Sequence, residues 1–152
     1  MTRHAPETAE ALRAYVKLFR ASRAVLARVE ANLAELSLTL NQLGVLEAIL
    51  HKGPLTHSEL GRKVLTSAGN MTDVVDKLER RGLVRRVRHT GDRRSVKVEL
   101  TQEGAKMTEA MFPLHAARIH AAMSGLNDAE LAQLGDLLRR LGTAASGEAP
   151  EG

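Results

Sequence analysis

The sequence predicts a mainly α-helical fold carrying one small β-hairpin. Three observations lead there. Apolar residues recur at steps of three and four through most of the chain, the period changes to two just after Gly82, and aromatic side chains make up only 2% of the 152 residues. A core without aromatic bulk must be built from Leu, Val, Ile, Ala and Met, which suits helices packing apolar stripes better than a β-sandwich. The length allows one domain with a real core, or a small lobe plus an association element.

From Glu7 to Leu36, the residues Leu12, Tyr15, Phe19, Ser22, Leu26, Val29, Leu33 and Leu36 form a narrow helical seam over four heptads, interrupted only by Ser22. A helix of that length, about 45 Å at 1.5 Å per residue, outruns what a small lobe can cover, so part of the seam is expected to meet another subunit. Thr39 with Gln42 fits a capping box for a helix bearing Leu43, Leu46, Ile49 and Leu50, and Lys52-Gly53-Pro54 stops it. Thr56 with Glu59 repeats the pattern for a short helix with Leu60 and Val64. Ser67 is the expected N-cap of a third helix, with Met71, Val74, Val75 and Leu78 facing inward, Asn70, Asp73, Lys77 and Arg80 facing outward, and Gly82 at its end. Two short helices around a tight turn, the second polar at its N-terminal end, match a helix-turn-helix.

Beyond Gly82, Val96, Val98 and Leu100 alternate with Lys97 and Glu99, and Leu83–Arg88 is rich in Val and Arg. This predicts two strands joined by Thr90-Gly91-Asp92-Arg93-Arg94, a hairpin with a charged tip. Thr101 caps the next helix, through Met107, Met111, Leu114 and Ile119, and Pro113 is expected to kink or break it. Asn127 with Glu130 opens a last helix bearing Leu131, Leu134, Leu137, Leu138 and Leu141. The predicted organisation is therefore a DNA-binding lobe over 39–100, association helices over 7–36 and 101–142, and a frayed, disordered tail over 143–152.

Charge is segregated along this chain. Between Arg62 and Lys97 eleven Lys or Arg residues stand against four acids, a local excess of +7 in a chain whose net charge is +4, which leaves −3 elsewhere. A basic cluster centred on a helix-turn-helix and hairpin points to a polyanionic partner, double-stranded DNA. The scarcity of aromatics argues against RNA modules that stack bases on aromatic platforms.

Other function classes lose support in the same reading. The chain has no cysteine, which excludes disulfides, thiolate nucleophiles and thiol redox sensing. No apolar run is long enough to span a bilayer, and residues 1–10 lack the apolar stretch of a signal peptide, so a cytoplasmic protein without a membrane partner is expected. Six histidines are present, but His115 and His120 are five apart, about 140° around a helix, and no HxxxH or HExxH occurs, so no metal site is expected. No phosphate-binding Gly loop, nucleophile elbow or acid pair suggests an enzyme or a cofactor.

The run Ser67-Ala68-Gly69-Asn70-Met71-Thr72-Asp73-Val74-Val75-Asp76-Lys77-Leu78-Glu79-Arg80-Arg81-Gly82-Leu83-Val84, then Asp92-Arg93-Arg94, then Val98-Glu99-Leu100-Thr101-Gln102-Glu103-Gly104, resembles the MarR family of transcriptional regulators, and the resemblance extends from about Leu12 to Gly142. It implies a winged helix-turn-helix lobe on a homodimer whose N- and C-terminal helices interlock. It also implies a palindromic operator, with the Ser67–Arg81 helix in the major groove and the hairpin tip in the flanking minor groove. Release by a small ligand, often an anionic phenolic compound, is implied as well.

Specific residues receive roles on these two grounds. Ser67, Asn70 and Thr72 open the recognition helix, where short polar side chains meet bases or phosphate, and Asn70 can pair bidentately with adenine. Asp73 either accepts from cytosine or faces solvent, and solvent is the expectation. Lys77, Arg85, Arg86 and Arg88 are assigned to phosphate or to field. In the Asp-x-Arg hairpin pattern of the family, Asp92 braces Arg94 for insertion into the minor groove, with Arg93 beside it. By the same resemblance Thr72 and Arg86 match positions that hold salicylate-like anions, and His51 and His115 are expected to line the ligand crevice. The rival reading is a nonspecific architectural DNA-binding protein using the same charge without base readout.

Overall fold

The structure, a computed structural model, describes residues 6–64, 68–88, 91 and 95–147. Helix α1 (Pro6–Leu33) runs into a 3-10 turn (Ala34–Leu36), and Ser37, in a left-handed conformation at φ 52°, turns the chain by 81° into the next helix. Next come α2 (Leu40–Lys52), β1 (Leu55–Thr56), α3 (His57–Val64), α4 (Ala68–Arg80), β2 (Val84–Arg88), β3 (Val96–Leu100), α5 (Gln102–Met123) and α6 (Asp128–Ser146).

Local capping chemistry sets several starts. The Thr39 hydroxyl accepts from Gln42 N while the Gln42 amide oxygen accepts from Thr39 N, and the same reciprocal pair joins Thr56 to Glu59 and Asn127 to Glu130. Thr101 caps α5 by accepting from Gly104 N at 3.0 Å. Helix α2 ends at Gly53, whose φ of 80° a side chain would resist.

The core lies in the lobe. Leu43, Leu46, Leu60, Met71, Val75, Leu78, Val84 and Val98 are fully buried where α2, α3 and α4 pack against the sheet. The sheet is antiparallel in the order β1-β3-β2. Val98 of β3 faces Leu55 on one side and Arg86 on the other, so the two-residue β1 turns the expected hairpin into three strands. The first turn of α5 rests on the lobe: Thr101 N donates to Leu83 O, and a Cβ placed on Gly104 would lie 1.9 Å from that oxygen.

The expected kink or break at Pro113 is not a break, and the expected tail needs correction. Pro113 does not break α5, which continues from Gln102 to Met123. The carbonyl deprived of its partner belongs to Glu109, which is exposed, so water can satisfy it. The tail expected over 143–152 is helical as far as Ser146, because Gly142 is tolerated inside a helix at a cost of about 1 kcal/mol and Gly147 supplies the left-handed stop at φ 70°. Residues 148–152 lie outside the described residues.

The α1 seam divides. Val29 and Leu33 are buried, Leu33 within the core of the lobe, whereas Leu12, Tyr15, Phe19 and Leu26 remain exposed, Tyr15 by 62%. Among the described residues, no single helix is long and apolar enough to cross a membrane.

Candidate nucleic-acid interface and effector cavity

Helix α4 separates its faces cleanly. Met71, Val74, Val75 and Leu78 point into the core, while Asn70, Thr72, Asp73 and Lys77 face outward. This is the arrangement a recognition helix requires: an apolar stripe to fix the axis and short polar groups at the N-terminal end. Ser67, its expected cap, lies outside the described residues. Asp73 takes the Lys77 ammonium at 2.8 Å, and both side chains are about half exposed. An exposed i,i+4 pair of this kind contributes about 0–1 kcal/mol, so Lys77 can exchange Asp73 for a phosphate at small cost.

The arginines of β2 are not equivalent. Arg85 pairs across the ladder with Glu99 at 2.5 Å. Arg86 turns back onto α4, where its guanidinium binds Asp76 at 2.5 Å and Glu79 at 2.9 Å, and its backbone N–H donates to the other Glu79 oxygen at 3.1 Å. Its Nε also donates to His57 Nε2 at 3.4 Å. Arg86 therefore fastens β2 to α4. Burial, and next the Arg86 charge, hold the His57 imidazole below its ordinary range. Arg88, at the end of β2, is exposed, as are Arg62 and Lys63 on α3. The β2–β3 register pairs Arg88 with Val96 and so sets the base of the hairpin whose tip carries Asp92, Arg93 and Arg94. Those three residues lie outside the described residues.

Arg81, counted in the basic cluster, has a structural role. It donates to Ser37 O at 2.7 Å and Leu36 O at 3.4 Å, joining the end of α4 to the turn after α1. The sequence contains no local signal for this, because the partners lie some forty-five positions away.

A cavity of about 380 Å³ opens where α2, α5 and α6 meet. His115 is its buried polar residue and Glu47 a partly exposed one whose Oε1 is buried, while Phe112, Ile119, Met123 and Leu131 form much of its apolar wall and His120 also borders it. His51 lies against it through an edge-on contact with the Phe112 ring, 5.1 Å between centroids. His115 and His120 thus border one hollow despite their angular separation, and no group of three or more His, Asp or Glu able to hold a metal occurs among the described residues. The four expected ligand residues do not converge. Only His115 lines this cavity; His51 adjoins it through Phe112, and Thr72 and Arg86 are on α4 and β2 and do not line it. Glu47 was not singled out by sequence, and its only signal is a carboxylate within the otherwise apolar run Leu43–Leu50.

Residues 38–96, from just before α2 to the start of β3, match the family described as MarR. The "HTH-type transcriptional regulator MhqR" of Bacillus subtilis (strain 168) is 32% identical over 138 residues, covering 91% of this chain and 95% of that protein. The chain belongs to the MarR family. Among solved MarR-family structures, a mutant MarR of E. coli complexed with operator DNA superimposes with a TM-score of 0.78 at 26% identity, over 87% of this chain and 95% of that one. Bordetella bronchiseptica BpsR, whose DNA binding is regulated by 6-hydroxynicotinic acid, gives a TM-score of 0.77 at 26% identity, over 86% and 98%. The small three-stranded sheet beside α4 is accordingly the wing of a MarR-type winged helix, and the Bacillus relative is a transcriptional regulator.

Proposed function

We propose that the protein is a homodimeric repressor of transcription that binds a palindromic operator in double-stranded DNA and is released by a small aromatic ligand. The observation that carries this reading is the division of α4, whose core-facing side is fully packed while Asn70, Thr72 and Lys77 stand outward beside a basic wing. On this reading Ser67, Asn70 and Thr72 meet bases and phosphates of the major groove, Lys77, Arg85 and Arg88 meet the backbone, and Arg94, braced by Asp92 and flanked by Arg93, enters the minor groove. Arg86 contributes by holding the wing to α4, since its guanidinium is already engaged by two acids.

The dimer is supported by what the monomer leaves uncovered. Leu12, Phe19 and Leu26 of α1 and Leu137, Leu138 and Leu141 of α6 are exposed, as are Leu114 and Ile119 of α5. Isolated exposed leucines need no explanation, but apolar rows along both chain ends mark an association face. Two-fold symmetry would set the recognition helices about one DNA turn, or about 34 Å, apart. A ligand releases DNA only if it prefers the dimer in which that spacing is wrong.

The test is footprinting of the purified protein on the promoters of its own and neighbouring genes, followed by titration of specific and random duplexes. A protected palindrome with a marked preference over random DNA is expected. Equal affinity for every duplex would replace the reading with an architectural DNA binder.

A further inference from the structure

Arg81, Gly82 and Leu83, the three residues after α4, bind both chain segments that lead to the association face. Arg81 Nη1 donates to Ser37 O at 2.7 Å and Nη2 to Leu36 O at 3.4 Å, where the turn after α1 ends. At the start of α5, the Thr101 hydroxyl donates to Gly82 O at 2.6 Å and the Thr101 N–H to Leu83 O at 3.1 Å. Helix α1 packs chiefly on α5 rather than on α4. The Arg81 guanidinium therefore supplies a direct link between the ends of α1 and α4. The turn it grips is itself tied to α1, since Ser37 N donates to Ala34 O at 3.1 Å and Leu38 N to Leu33 O at 3.3 Å. Neither α1 nor the 3-10 turn has a basic residue of its own in its last turn. The last carbonyls of a helix carry partial negative charge, and here a cation from another helix takes the place a local Lys or Arg would fill.

We propose that Arg81 is a positioning residue that sets the separation at which a dimer presents its two recognition helices, and with it the half-site spacing the protein accepts. The proposal rests on the reading that the protein is a dimer on a two-fold operator, and adds to it the residue that fixes the operator's spacing. Both terminal nitrogens of Arg81 donate to carbonyls of its own chain, so its charge acts within the protein and not on a phosphate. The exposed apolar row of α1 is the surface expected to meet the second subunit. From that surface, α1 leads through Leu36 and Ser37 to Arg81 and so to α4. Attachment to two helices, α1 and α5, resists a rotation of α4 more than attachment to one. Moving a half-site by one base pair shifts it about 3.4 Å along the duplex and about 34° around it, and a dimer can follow only if its lobes turn. A tethered lobe resists that turn, and a lobe without the Arg81 link yields to it.

The experiment is in vitro selection from a random duplex pool with the full chain as wild type, Arg81→Met, Arg81→Gln and Arg81→Lys. Arg81 is exposed, so the variants should fold and pair, which thermal melts and sedimentation velocity verify. Two shortened or donor-free variants are run so that a folding failure in one does not remove the comparison. Wild type should recover two half-sites at one separation, and moving them by one base pair should cost about tenfold in affinity. Arg81→Met and Arg81→Gln should recover the same half-site sequence over two or more separations, with the one-base-pair penalty reduced to about threefold or less. Arg81→Lys keeps the charge and a donor, and should retain most of the wild-type preference. The salt slope on the selected duplex should not change in Arg81→Met, whereas loss of a phosphate contact would reduce it by about 1. A reduced slope, an altered half-site sequence, or one unchanged separation in both Arg81→Met and Arg81→Gln would overturn the proposal alone. A wild type that is monomeric, or that recovers no paired half-sites, would overturn the dimeric repressor reading and the proposal together.

Discussion

The Arg86 guanidinium on β2 and the Asp76 carboxylate on α4 meet at 2.5 Å, and Glu79 closes the same grip from one turn further along the helix. The wing and the recognition helix are thus tied by a forked contact in addition to their packing. Arg86 is only 26% exposed, so the contact is better shielded from water than Lys77–Asp73. Arg86→Ala should cost about 1–2 kcal/mol of stability, discounted for partial exposure, and should weaken operator binding by loosening the wing. Arg86→Lys should rescue little, since one ammonium cannot reproduce a fork shared between two acids. Urea denaturation and gel shifts on the two variants check this, and a fully active Arg86→Lys would remove the argument.

The wing tip and α4 should differ in how they respond to salt and sequence. Arg94→Ala is expected to weaken binding and relax discrimination at the operator flanks, whereas Lys77→Ala should lower affinity evenly and reduce the salt slope by about 1. Titrations at several salt concentrations on operators with altered flanks separate the two effects.

Association through the chain ends predicts a particular phenotype for charges placed there. Phe19→Glu and Leu141→Glu put a carboxylate on side chains that are 52% and 54% exposed in the single chain, so neither should harm the fold of the lobe. Each should weaken dimerisation at least a hundredfold, about 2.7 kcal/mol, by burying an unpaired charge at the subunit contact. Sedimentation velocity reads the outcome. Unchanged dimers in both variants would place the association surface elsewhere.

His57 gives a pH dependence of defined sign. Its folded pKa is held below the ordinary 6.5, first by burial and then by Arg86. Between that folded value and 6.5 the unfolded chain binds more protons, so stability is complete above 6.5 and is lost as pH falls through this window. His57→Gln should flatten the dependence there. Urea midpoints measured at roughly pH 5 and roughly pH 7.5, on either side of the ordinary histidine range, provide the comparison.

Much of the fold can be read from the sequence because its signals are local. The capping boxes at Thr39, Thr56 and Asn127, the apolar stripe of α4 and the alternation in β3 each depend on residues within a few positions of one another. The features sequence reading did not supply are contacts over distance. Strand β1 is only Leu55 and Thr56, too short to show a period, and it exists because β3 offers a free edge. Arg81 and Arg86 look like members of a basic cluster until Ser37, Asp76 and Glu79 are placed beside them. Glu47 gains its meaning from His115 on another helix. Charge counting picks out a basic segment, but it cannot separate cations that hold the lobe together from those that face outward.

At position 104 the approach of α5 to Leu83 leaves room for a hydrogen and nothing larger. Gly104→Ala should therefore cost about 1–3 kcal/mol or more, read as a lowered thermal midpoint. The contact works as a dry joint, with no side chain to act as a cushion between the helical arm and the DNA-reading head. A tilt of α5 at this point must either carry Leu83 with it or break the Thr101–Leu83 bond. Together with the Thr101 hydroxyl bonded to Gly82 O and Met111 in the core, this backbone contact fixes the aim of the arm relative to the head.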